Sequence, residues 1–136
     1  MIGTLITIHG LLRWVTAALA LLVIARYAWG WLGKQSFTAT DRQLGSAFAV
    51  AITVQFVLGV VNLVLLAING AFRPAVHIEH AFYGLLATGL AHSLPALKRL
   101  PDASRFRTGL LLTLVSLLLV IFSVTRLRGS FFFGML

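Results

Sequence analysis

The chain has 136 residues, 60% of them hydrophobic and 10% charged, no cysteine, and a formal charge of +8. That balance excludes an ordinary soluble domain, which needs a charged surface to stay in water. The missing thiols exclude disulfides, thiolate metal sites, iron–sulfur clusters and covalently attached c-type haem. In so apolar a chain the positive charge reads as orientation and contact with anionic lipid, with no nucleic-acid partner.

About 30 Å of hydrocarbon takes about 20 apolar residues in a helix, and the chain offers such windows in order. The first covers about residues 5–27. No basic residue precedes it, it contains His9 and Arg13, and it is longer than a signal-peptide core, so it is expected to stay as a span with Met1 retained. A loop, "GKQSFTATDRQ" (33–43), leads to a second span at about 44–68. "NGAFRPA" (69–75) turns the chain, with Pro74 where a helix can start. The third span, about 76–97, opens with "VHIEHAFYGLLATGLAHS" (76–93) and holds His77, Glu79, His80 and His92. "KRLPDASR" (98–105) brings Pro101 as a breaker and Asp102 or Ser104 as an N-cap. The fourth span covers about 106–124. Almost nothing remains for a soluble domain, so residues 1–136 read as a single integral membrane domain. The short connections predict an all-α membrane protein, an antiparallel up-down-up-down four-helix transmembrane bundle.

Orientation follows from the basic residues. Arg26, Lys34, Arg42, Lys98, Arg99, Arg105 and Arg107 fall on one side; Arg73, Arg126 and Arg128 fall on the other. The positive-inside rule places the first side in the cytoplasm, both termini outside, and Trp29 and Trp31 in an inner aromatic belt.

Ionisable groups inside spans are costly and point to function by default. His9 and His80 lie near the outer ends of spans one and three, which run in the same direction. They are therefore within about one turn, about 5 Å, in depth. Two neutral imidazoles facing each other across a bundle can supply both axial ligands of a b-type haem. His77, about 60° from His80 around the helix, is an alternative ligand or a propionate partner. His92 is about 18 Å further along and about 120° around, with no second histidine at its depth. It is a candidate for a hydrogen bond, a pigment or a quinone pocket. Arg13, one turn inward from His9, is placed to pair with Glu79. Gly84, one turn inward from His80, would let a macrocycle or another helix approach. Arg73, Arg126 and Arg128 gather at the outer surface, for haem propionates or lipid headgroups. The same residues also suit a haem-free polar packing network, and that alternative stays open at this stage.

The motifs "IHGLLRW" (8–14), "WLGKQSFTATDRQL" (31–44), "VQFVLGVV" (54–61), "VHIEHAF" (76–82) and "LAHS" (90–93) together resemble a family of small bacterial four-helix membrane proteins. That family is usually labelled cytochrome b or cytochrome-b-like. The resemblance covers most of the first 95 residues and rests on His9, Arg13, Trp14, Gln55, Gly59, Glu79, His80 and His92. It departs at Ala81, where members often carry Pro, and at Thr53, where many carry His. It implies a multi-pass protein of the bacterial inner membrane.

The combined expectation is one haem b near the outer face, with His9 and His80 as axial ligands. Arg13, Glu79, His77, Gly84, Arg73, Arg126 and Arg128 would surround it. His92 and Gln55 would form a second site, suited to a quinone. The role would be electron transfer as a subunit of a larger redox or photosynthetic complex, rather than as a stand-alone enzyme. The lipid bilayer and other membrane proteins would be its partners. The rivals are a cofactor-free structural or assembly subunit and a pigment- or quinone-binding accessory protein.

Overall fold

The structure, a computed structural model, describes residues 1–129 and residue 131. Helices dominate: α1 (Ile2–Leu32), α2 (Ala39–Ile68), α3 (Pro74–His92) and α4 (Asp102–Arg128), with a 3-10 helix (Leu94–Arg99) between the last two. There is no strand among the described residues.

Local chemistry sets the boundaries. α2 starts at Ala39, ahead of the apolar run at 44, because Thr38 and Asp41 form a capping box. The Thr38 backbone N–H donates to the Asp41 carboxylate at 2.9 Å, and the Asp41 N–H returns a longer bond to the Thr38 hydroxyl. Two free N–H groups of the first turn are thereby satisfied. Residues 39–43, expected in a loop, are therefore helical. α3 starts on Pro74, whose missing N–H costs nothing at that position.

The α3 helix stops at His92 and does not run to residue 97 as expected. Pro95 has no N–H to continue the ladder and disfavours helical geometry before it, so the chain tightens into the 3-10 helix. α4 starts at Asp102, with Pro101 in the cap position and no side-chain cap. Neither Asp102 nor Ser104 is the N-cap; Asp102 instead sets a carboxylate in the first turn, where the helix dipole favours it. Gly129, in the left-handed region at φ 83°, closes the helix.

α1 packs on α2 and α4, and α3 packs on the same two, which leaves α1 and α3 diagonal across the bundle. At one end, the Arg26 Nε donates to Asp41 Oδ1 at 2.6 Å and the Tyr27 hydroxyl to the Asp41 carbonyl at 2.9 Å. At the other, Gln55 Nε2 donates to the His9 carbonyl at 2.8 Å and Asn62 Nδ2 to the Leu5 carbonyl at 3.3 Å.

The interior is built from small residues and a few rings. Phe106 and Tyr27 are fully or almost fully buried. They press on glycine backbone so closely that a Cβ on Gly30 would sit 2.5 Å from the Phe106 ring, and one on Gly109 2.7 Å from Tyr27. Thr16, Thr113 and Ser116 are buried beside Ala20, Ala87 and Ala91, and the Ser116 hydroxyl donates to the Ala87 carbonyl. Large apolar side chains turn outward instead: Leu21, Val50, Val57, Val64, Leu85 and Leu118 are each more than half exposed. A water-soluble fold would reverse this arrangement, while small-residue contacts are how helices meet in lipid. α1, α2 and α4 are long and apolar enough to cross a membrane. α3 is not among them: it has 19 residues, and His77, Glu79, His80 and His92 dilute its apolar run.

Candidate functional site

The diagonal helices α1 and α3 bring two imidazoles together. The His9 and His80 ring centres are 6.2 Å apart, with the planes at 82°.

Hydrogen bonding assigns the tautomer of His80. Its Nδ1 lies 2.6 Å from the Ser123 hydroxyl and 3.3 Å from the Ser123 carbonyl, while that hydroxyl also reaches the His80 carbonyl at 3.1 Å. Carbonyls only accept, so the arrangement that uses all three contacts has the hydroxyl donating to the His80 carbonyl and the His80 proton on Nδ1; this tautomer is adopted for the ring. The Nε2 lone pair is left for another partner. This is how a ligating histidine is usually oriented: one nitrogen held by the protein, the other free.

His9 is held differently. Its carbonyl takes the Gln55 side chain, and its ring rests on Gly59, where a Cβ would come within 3.0 Å of Cε1. Its Nδ1 is buried with no partner.

Three cavities touch both histidines. The inner one, about 70 Å³, is lined by Gln55, Phe56, Gly59, Gly84, Thr88 and Ser123 among others. That is room for two or three waters. The outer one, about 320 Å³, is bounded by Asn62, Arg73, His77 and Arg128. A small recess of about 30 Å³ reaches Arg13 and Arg128.

The structure gathers several predicted residues and separates others. His77 caps its own helix: its Nδ1 accepts from the Arg73 N–H at 3.0 Å, so that nitrogen is committed. Gly84 does face the inner cavity, but the Phe56 ring lies 3.5 Å from where its Cβ would be, so a helix contact takes the room there. The expected Arg13–Glu79 pair does not form. Glu79 is bound instead by Arg126, Nε to Oε1 at 2.9 Å and Nη2 to Oε2 at 3.3 Å, because it faces α4. Arg126 is more than half exposed and Glu79 partly so, so solvent screens this pair and it stabilises little.

Arg13 is left deep in the bundle at 3% exposure. Its Nη1 donates to the Gly10 carbonyl at 2.7 Å, and its Nε is buried without an acceptor. Trp14 and Phe131 present rings 5.0 and 5.7 Å from its Cζ. Such contacts return about 0.5–2 kcal/mol, whereas burying an ion costs several kcal/mol, so the rings alone do not balance the charge.

His92 and Gln55, expected as one second site, are apart. Gln55 belongs to the His9–His80 cavities. His92 lies beside Thr53, its Nε2 2.7 Å from the Thr53 hydroxyl, on the wall of a cavity of about 350 Å³ that also meets Tyr27, Arg42, Ser46 and Arg105. Thr53 thus stands against His92 at the position where the resembled family often carries histidine.

Ser123 and Asn62 escaped sequence reasoning. Each is a polar residue inside a long apolar run and is buried, 2% and 6% exposed. That mismatch was the available signal.

The donor set decides which metal chemistry fits. Among the described residues no group of three or more His, Cys, Asp or Glu side chains gathers, so a bare ion held by side chains alone has no home. A haem iron asks the protein for one or two axial nitrogens only. Two metal–nitrogen bonds of about 2 Å, plus about 1 Å from each nitrogen to its ring centre, give roughly 6 Å between ring centres. The ring-centre separation of 6.2 Å matches that spacing, while the cavity between the rings holds about 70 Å³ and the larger space beside them is the outer cavity.

Comparisons with protein families, with curated proteins and with solved structures give no match.

Proposed function

We propose that the chain is a cytochrome-b-like membrane protein that holds one haem b between His9 and His80. The single observation behind this reading is the apposition of those rings at 6.2 Å, with His80 Nδ1 occupied by Ser123 and its other nitrogen free. The group, when bound, supplies a one-electron centre. The residues of the chain hold and shield it. Ser123 fixes the tautomer and rotation of His80. Gly59 makes room for the ring of His9, and Gln55 ties the two helices at that height. Arg73 and Arg128 border the outer cavity. Arg126, committed to Glu79, steadies the α3–α4 pair beside it.

The bundle is proposed to cross the bacterial inner membrane as four antiparallel spans. The support is the order of contacts: Leu5 and His9 meet Asn62 and Gln55, while Arg26 meets Asp41. His80 meets Ser123, and Ala87 meets Ser116. In both pairs residue numbers fall on one helix as they rise on the other. α3 is proposed to join the spans because it packs on α2 and α4, which cover His80. The proposed role is electron transfer as a subunit of a larger redox or photosynthetic complex.

A second reading is favoured by one observation. The cavity at Thr53 and His92, with its apolar wall and a paired imidazole, suits a quinone. The two readings are compatible, one at each end of the bundle.

The absorbance spectrum of purified protein tests the first. A low-spin b-type band in the reduced wild type, lost in His9→Ala and His80→Ala and kept in His92→Ala, is the expected result. A featureless spectrum after haem reconstitution, or loss of the band in His92→Ala alone, refutes axial ligation by this pair.

A further inference from the structure

Arg13 is a guanidinium only 3% exposed, and among the described residues no anion lies beside it. The chain has three acidic residues. Glu79 is held by Arg126, Asp41 by Arg26 at the opposite end, and Asp102 begins α4. Among the described residues none is left for Arg13. Its buried Nε has no acceptor, and its neighbourhood adds positive charge. Arg128 lines the same recess, and Arg73 borders the outer cavity that shares His9 and His80 with it. A buried charge without a partner is strongly unfavourable.

We propose that Arg13 anchors the acidic group, a carboxylate or a phosphate, of an amphiphilic ligand whose apolar body occupies the outer cavity. The guanidinium fork suits either oxyanion and holds it in a defined direction. The recess of about 30 Å³ is the size of the headgroup oxygens rather than of a whole molecule. The cavity of about 320 Å³ beside it takes the remainder. Two sources carry this chemistry. One is a propionate of the haem proposed above, in which case the inference rests on that reading. The other is the phosphate of an acidic lipid, in which case it does not.

The test uses the full chain in nanodiscs of phosphatidylcholine, with three probes: haem b, its dimethyl ester, and phosphatidylglycerol added to the lipid. Thermal unfolding and binding are read for wild type, Arg13→Gln and Arg13→Lys. Haem b or phosphatidylglycerol should raise the unfolding temperature of wild type. Arg13→Gln should weaken that probe by about tenfold or more, since it deletes a charge-assisted pair. Arg13→Lys, which keeps the charge but not the fork, should fall between. The dimethyl ester, which has no carboxylate, should bind wild type and Arg13→Gln alike.

Stabilisation by phosphatidylglycerol without haem identifies the lipid phosphate, and stabilisation by haem b alone identifies the propionate. The proposal is overturned if neither charged probe stabilises wild type, or if Arg13→Gln binds both as tightly as wild type. Should Arg13→Gln not fold, the wild-type response to the charged probes and the strength of Arg13→Lys decide. Axial ligation is judged separately: a low-spin spectrum with the ester supports the His9–His80 pair whatever Arg13 does, and its absence sinks that pair without touching the lipid result.

Discussion

Replacing Ser123 by alanine isolates the contact that orients His80. The hydroxyl lies 2.6 Å from His80 Nδ1 and 3.1 Å from the His80 carbonyl, in a residue only 2% exposed. Removing it leaves the Nδ1–H with the Ser123 carbonyl alone, at 3.3 Å. A buried donor stripped of its partner costs about 1–3 kcal/mol. The surviving carbonyl contact puts the expected loss in the lower part of that range, about 1–2 kcal/mol. Thr125→Ala is the control, because it removes an exposed hydroxyl that bonds only back to Ile121 on its own helix; it should change stability by about 0.5 kcal/mol or less. Chemical unfolding in detergent measures both, and nitrogen NMR of the histidines reads the tautomer. Wild type should show His80 protonated on Nδ1, and Ser123→Ala should show a mixture. Haem affinity should drop about tenfold or more, as for other partners that orient a ligand. A wild-type His80 protonated on Nε2, or a Ser123→Ala protein as stable as Thr125→Ala, refutes the assignment.

Gly30→Ala should destabilise by about 1–2 kcal/mol, because the new methyl meets a buried Phe106 ring and overpacking outweighs the helix propensity gained. Gly89→Ala, with nothing within 4 Å, should instead be neutral or stabilising by up to about 1 kcal/mol; equal melting of the two variants would rule out the close fit. Burial alone would push the Asp41 carboxyl up, but hydrogen bonds from Arg26 and Thr38 prevail and hold it below the usual carboxylate range. Its folded-state value is therefore below the unfolded one, about 3.9, so its contribution is present above that pH and lost as pH falls through the folded value. Asp41→Asn should cost stability near neutral pH and flatten the acid limb of a denaturation series, and an unchanged acid limb would remove Asp41 from that role. Cysteine placed at Ala71 should react with an impermeant reagent from outside, and cysteine at Ser36 only after the membrane is opened. The opposite labelling pattern reverses the orientation.

Much of the architecture follows from the linear order of residue types. Apolar runs set four helical stretches, Pro74 opens one, and a shared depth along parallel runs makes His9 and His80 natural partners, while the stop at Pro95 falls inside the stretch expected to stay helical to 97. These features depend on rise per residue and on backbone chemistry, both of which act along one helix. What lies across from a side chain depends on how each helix is rotated about its axis and on which neighbour is nearer. Glu79 is one residue from His80, yet that step of about 100° turns it away from the bundle axis, and it reaches Arg126 on α4 while Arg13 is left without it. Ser123, an unremarked hydroxyl in an apolar run, becomes the partner of His80 only once α3 and α4 are packed. Thr53, which the resemblance alone marked as a departure from histidine, bonds His92. Sequence by itself determined the helices and the depth of the polar groups, because both follow from the local backbone. Only the tertiary structure decided which groups are paired and, among the described residues, left Arg13 without an anion, because pairing is set by the side chains of a different helix.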